Sequence, residues 1–206
     1  QLGWNQWRNN GTGTQGQDIL NYIRTTLLND PQATFHFTGH SLGGGLAEYA
    51  AYFAKQEEKI RQETEPDFRI NITLTTFNAF GVLDSLTVNE NTTADAINAV
   101  MGDTYVAHYS ANGDLVSLLG GGHVGEVVNG QINTYTLGTN TKYFLEAHNI
   151  YNTVFTNLTS AAVHDFTPEY LAVQTTQGLI AKIQSLLNPD GTTNETTAGL
   201  RLVAEH

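Results

Sequence analysis

Five residues, Gly39-His40-Ser41-Leu42-Gly43, constrain this chain more than any other stretch of its 206 residues. They follow Thr34-Phe35-His36-Phe37-Thr38, a short run of β-branched and aromatic residues that predicts a strand. They precede a segment from Leu46 to Lys55 in which Leu46, Tyr49, Ala50 and Phe53 share one helical face. A serine at so sharp a strand-to-helix turn is held in strained backbone geometry, and its neighbours two residues to either side must lack side chains. Glycines occupy both positions. Such a turn lifts the hydroxyl above the strand end and aims it at the N-terminus of the following helix, where backbone N–H groups favour developing negative charge. The pattern marks Ser41 as a candidate nucleophile and the Leu42 N–H as a candidate oxyanion donor.

The rest of the chain reads as alternating strands and helices. Residues 1–16, rich in Gly, Asn and Gln, read as a loop carrying Trp4 and Trp7. Ile19, Leu20, Ile23 and Leu27 give Asp18–Leu28 a helical face, and Asn29-Asp30-Pro31 ends it. Glu57–Asp67 is charged and reads as a solvated helix end and loop. Strands are expected over Phe68–Phe77 and Thr104–Tyr109, with a short helix over Thr92–Met101 between them. Asn129-Gly130 predicts a hairpin turn between Glu126–Val128 and Gln131–Leu137. Helices are expected over Phe144–Leu158 and Leu171–Leu187, and residues 189–206 read as a loosely held tail. The alternation predicts an α/β class fold, a mostly parallel sheet covered by helices on both faces, as one domain over residues 1–206.

Composition excludes several functions. Nine Lys and Arg against 20 Asp and Glu leave a formal charge of −11, a poor match to phosphate backbones. With no cysteine, thiol catalysis, disulfides and Cys-ligated metals are out. No apolar run approaches the roughly 18–20 residues of a membrane span. No D-x-[DN]-x-[DN]-G loop occurs, so neither metal nor cofactor is expected. A surface made polar by Asn, Thr and Gly rather than by charge suits an extracellular, secreted protein.

The segment His-Phe-Thr-Gly-His-Ser-Leu-Gly-Gly-Gly-Leu-Ala-Glu-Tyr-Ala-Ala, residues 36–51, closely resembles the nucleophile region of class 3 lipases. The resemblance extends to the preceding helix and its proline, to Thr-Phe-Asn-Ala-Phe-Gly after the second strand, and to Gly-Asp-Leu-Val-Ser. It covers approximately Asp18 to Leu158. It implies an α/β-hydrolase fold and a serine carboxylic-ester hydrolase that cleaves lipid or simple esters through a Ser41 acyl-enzyme, with possible contact at a lipid interface. A phospholipase A1, or a non-catalytic domain binding lipid or protein on the same scaffold, are the alternatives.

A nucleophilic serine needs a base and the base an orienting carboxylate, which this fold usually supplies in the order Ser, Asp or Glu, His. Asp114 follows a predicted strand and stands in what looks like the family's Asp-x-Val segment; Asp84 and Asp103 compete with it. Among seven histidines, His36 is expected to pack within its strand. His40 fills the variable place of the elbow, His108 precedes Asp114 on a strand, and His206 is terminal. His123 resembles a non-catalytic segment of relatives. His148 and His164 remain, and the family's habit of placing the base in an Ala-His segment opening a late helix favours His148, with His164 in reserve. The family's second oxyanion donor lies upstream of a Trp-containing stretch that Gln1–Trp7 resembles. That resemblance implies an N-terminally incomplete domain, whose exposed sheet edge would be covered by a second copy or a companion chain.

Overall fold

In the computed structural model the described residues are 15–137, 147–150 and 163–165. Helix α1 (Gln15–Asn29) leads to strand β1 (Thr34–His40), and Ser41 joins β1 to helix α2 (Leu42–Arg61). Strand β2 (Asn71–Phe77) is followed by helices α3 (Leu83–Asn89) and α4 (Ala94–Met101) and by strand β3 (Tyr105–Ala111). After one 3-10 turn (Val116–Leu118) come β4 (Val127–Val128), β5 (Gln131–Ile132), β6 (Thr134–Leu137) and β7 (Val163–Asp165). The main sheet runs β1-β2-β3-β6-β7, parallel from β1 to β6, with β7 antiparallel at its edge.

Helix α2 is the centre of the packing. Ala47, Ala50, Ala51 and Ala54 recur at helical spacing and are buried, so the helix can lie close to β1 and β2. Its first turn approaches closer still: a Cβ on Gly44 would stand 2.5 Å from Cβ of Ala79, and one on Gly45 2.9 Å from the Phe80 carbonyl oxygen. On the sheet, Ile72, Leu74 and Thr76 alternate inward on β2. Strands β1, β2 and β3 follow one another across the sheet, so their right-handed crossovers bring α2 and α4 to one face. Helix α1 joins α2 there through Ile23 and Leu27. The opposite face carries a row of stacked rings: Phe77 and Tyr109 lie 5.6 Å apart, Tyr109 and Tyr135 5.2 Å.

Several elements differ from the sequence reading. Helix α1 begins at Gln15, so the last two positions of the expected loop 1–16 are helical. Helix α2 absorbs Gly43–Gly45 and runs on to Arg61, because Glu58 is buried rather than solvated. Its carboxylate accepts from Lys55 Nζ and from the Ile70 N–H, each at 2.7 Å. Helix α3, seven residues long, is too short to show a period, yet buries Leu83 and Leu86. The hairpin forms at Asn129 and Gly130, both at positive φ. Its second arm divides at Asn133, which bonds to Glu126 and Gly125, and residues 134–137 leave to pair in parallel with β3. Trp4, Trp7, the tail 189–206 and helix Leu171–Leu187 lie outside the described residues, as does Phe144–Leu158 except at residues 147–150.

Leu74 is fully buried between α2 and the sheet. Replacing it with Ala is expected to lower unfolding free energy by about 2–5 kcal/mol, read from urea melts at unchanged slope. A loss below about 1 kcal/mol would show that this layer packs loosely.

Candidate active site

Ser41 sits at φ 56 and ψ −129, a backbone region that residues with a side chain rarely adopt. Hydrogen bonds hold it there. The Ser41 N–H donates to the Phe77 carbonyl at 3.2 Å, and its own carbonyl accepts from the N–H groups of Gly44, Gly45 and Phe80. A Cβ on Gly39 would fall 2.2 Å from the Gly43 carbonyl oxygen, so glycine is obligatory there. Gly43 faces open space, and the second close approach belongs to Gly44 instead. Only one of the two glycines flanking Ser41 in the motif is therefore required by contact. Leu42 opens α2, where its N–H has no intrahelical acceptor.

Asp114 follows β3, across a turn that Gly113 makes at φ 90. It is buried at 2% exposure. Its Oδ1 accepts from the Val116 N–H at 3.0 Å and from His148 Nδ1 at 3.0 Å. His148 Nε2 stands 2.8 Å from Ser41 Oγ. A carboxylate oxygen only accepts, so Nδ1 carries the imidazole proton and Nε2 presents its lone pair to the serine hydroxyl. The structure thus brings Ser41, His148 and Asp114 into one hydrogen-bonded line. Asp103 lies exposed beside Lys55, and Asp84 opens α3. His164 sits on β7 opposite Thr136, four strands across the sheet from β1 and so roughly 19 Å away.

Four other histidines among the described residues make structural hydrogen bonds. His36 is exposed, contrary to the expected packing, because β1 turns it away from α2; its Nδ1 pairs with Thr73 Oγ1 at 2.8 Å. His40 Nε2 donates to the His148 carbonyl at 2.7 Å. His108 Nε2 donates to the Val124 carbonyl and its Nδ1 accepts from Thr76 Oγ1. His123 Nδ1 meets Glu48 Oε1 at 2.7 Å, and the second carboxylate oxygen of Glu48 accepts from the Val124 N–H. His206 lies outside the described residues.

Glu48, His108 and His123 form a buried cluster whose ligand atoms lie within 4.8 Å of one another. The two rings are nearly parallel, 21° apart, so an ion in the plane of one lies out of the plane of the other. Thr76 also occupies Nδ1 of His108. This geometry suits a hydrogen-bonded clasp rather than a metal centre. Burial pushes the Glu48 carboxyl above the usual carboxylate range. Burial works against charge on His123, but Glu48 outweighs it and leaves that imidazole above its ordinary value. His108 is held well below its own, by burial first and then by His123. The clasp fastens the loop that follows Asp114 to the helix that follows Ser41. An acidic residue set among Ala47, Tyr49, Ala50 and Ala51 is the one trace of it in the sequence.

A mostly parallel sheet flanked by helices, with a serine at a strained strand-to-helix turn, defines a lipase-type α/β-hydrolase fold. The family model for class 3 lipases matches residues 6–116, more than half of the chain, and the chain belongs to that family. The match spans the elbow and Asp114 and ends before His148. No curated protein matches the chain. Family membership supports a hydrolase of lipase or esterase type.

Replacing Glu48 with Leu leaves the His123 and Val124 donors buried without an acceptor, and is expected to cost about 3–5 kcal/mol of stability. Glu48→Gln keeps an accepting oxygen and should lose clearly less in the same urea melts. Equal losses would mean that hydrogen bonding is not what the carboxylate contributes.

Proposed function

We propose that the chain is a serine carboxylic-ester hydrolase in which Ser41 is the nucleophile, His148 the general base and Asp114 the group that orients it. The observation that carries this reading is His148 standing between Ser41 Oγ and Asp114 Oδ1 at 2.8 and 3.0 Å. As the hydroxyl attacks an ester carbonyl, its proton passes to His148 Nε2, and Asp114 stabilises the imidazolium. The carbonyl oxygen becomes an oxyanion beside the Leu42 N–H and the positive end of α2. Collapse of that intermediate breaks the ester C–O bond, and His148 hands its proton to the departing alcohol. Water, activated by the same imidazole, then hydrolyses the acyl-enzyme and restores Ser41.

Substrate preference follows from charge. The cations of the described residues are Arg24, Lys55, Lys59, Arg61 and Arg69, set on α1, on the second half of α2 or ahead of β2. Ser41 lies before α2, at the end far from all of them, so the described residues around it offer no clamp for a phosphate head group. Uncharged acyl esters and neutral lipids suit the site better than phospholipids.

A fluorophosphonate probe is expected to add one covalent label to the intact protein, none to Ser41→Ala, and to label His148→Ala more slowly by on the order of 10³-fold or more. Unchanged labelling of either variant sinks the assignment. In mixed micelles, a neutral diacyl ester should be turned over faster than a phosphatidylcholine of the same chain length. The reverse order would assign the site to phospholipids.

A further inference from the structure

The proposed base arrives from a part of the chain 107 residues beyond Ser41, and what docks its backbone is legible at atomic detail. The His148 carbonyl accepts from His40 Nε2 at 2.7 Å and from Asn78 Nδ2 at 3.3 Å, while Asn78 Nδ2 also reaches the Ala147 carbonyl at 3.0 Å. Asn78 is fully buried at φ 46, just past β2. Its Oδ1 takes the Ala111 N–H at 2.7 Å, and its own N–H donates to the Tyr109 carbonyl, so it is locked to the end of β3. His40 is the last residue of β1 and covalently precedes Ser41. Its ring stands against the His148 ring, centroids 4.7 Å apart and planes tilted by 36°.

From this arrangement we infer that His40 is a positioning residue: its Nε2–H, bonded to the His148 carbonyl, holds the base in register with the adjacent serine. This rests on the reading of Ser41 and His148 as nucleophile and base. A carbonyl only accepts, so the bond fixes His40 as the tautomer protonated at Nε2. Burial keeps that imidazole below its ordinary pKa and neutral, so no second cation stands beside the base. The anchor is short and direct. It fixes the carbonyl of the same residue whose ring must reach Ser41 Oγ on one side and Asp114 on the other. A shift of about 1 Å in such a group can cost 10²-fold in rate.

Three variants separate the donor from the ring. Gln carries its amide nitrogen the same number of bonds from Cα as Nε2 of His, so His40→Gln keeps a donor without the ring. His40→Phe keeps a ring without a donor, and His40→Ala has neither. Fluorophosphonate labelling of Ser41 is expected to be near wild type in His40→Gln and slower by roughly 10–100-fold in His40→Phe and His40→Ala. The low-field proton resonance of His148 Nδ1–H, which reports its bond to Asp114, should persist in His40→Gln and fade in the other two. Wild-type labelling by His40→Phe, or His40→Gln as slow as His40→Ala, overturns the inference. If the wild type itself takes no label, the hydrolase reading fails on its own. The docking of His148 is then judged by its Nδ1 proton alone: loss in His40→Phe upholds the anchor, and an unchanged signal overturns it.

Discussion

The backbone of Ser41 is the constraint on which the site depends. A residue at φ 56 and ψ −129 costs on the order of 1–3 kcal/mol wherever it occurs. It persists here because its amide is bound to β2 and its carbonyl gathers three N–H donors. The strain and the bonds that offset it come from the same close approach. Gly39 has no side chain to meet the Gly43 carbonyl, Gly44 lets α2 settle against Ala79, and the alanine stripe of α2 continues that contact along the sheet. Packing of small residues thus sets the direction of one hydroxyl.

The remaining groups are held by polar interactions, most of which only a folded sheet can assemble. Asp114 is fixed by its own turn and by the Val116 N–H. The loop beyond it is fastened to α2 by Glu48 and His123. The backbone of His148 is bonded to the ends of β1 and β2 through His40 and Asn78. The bonds of Glu48, His40 and Asn78 join residues far apart in the chain, and each ends on an element that also bears on Ser41. The three groups of the proposed reaction are therefore supported by one connected frame.

How much of this the sequence discloses depends on the range of the interaction. The elbow is legible because strand, glycine turn and helix are local, and a motif with its context stands out within some twenty residues. The parallel order of the first strands is legible from their alternation with helices. The hairpin at Asn129-Gly130 is legible because its turn is chemically narrow. What escapes is tertiary. Helix α3 is two turns long and shows its purpose only in the burial of Leu83 and Leu86. The departure of β6 from the hairpin is decided by the bonds of Asn133, not by the pattern of Gln131–Leu137. A solvated surface reading of Glu58 fails because its partners, Lys55 and Ile70, come together only when α2 docks. Glu48, His40 and Asn78 carry no pattern of their own; their partners lie 75, 108 and 69 residues away.

The long separation between serine and base also bears on the order in which the protein is made. Strand β1, helix α2 and strand β2 are contiguous and can dock while the chain is still being synthesised, giving a folded serine turn early. The imidazole proposed to turn that hydroxyl into a nucleophile is encoded 107 residues later. In that proposal the growing polypeptide displays an unactivated alcohol throughout the interval, and the serine meets its base only when the late segment closes onto the strand ends. On the proposed reading, the fold separates the making of its scaffold from the arming of its serine.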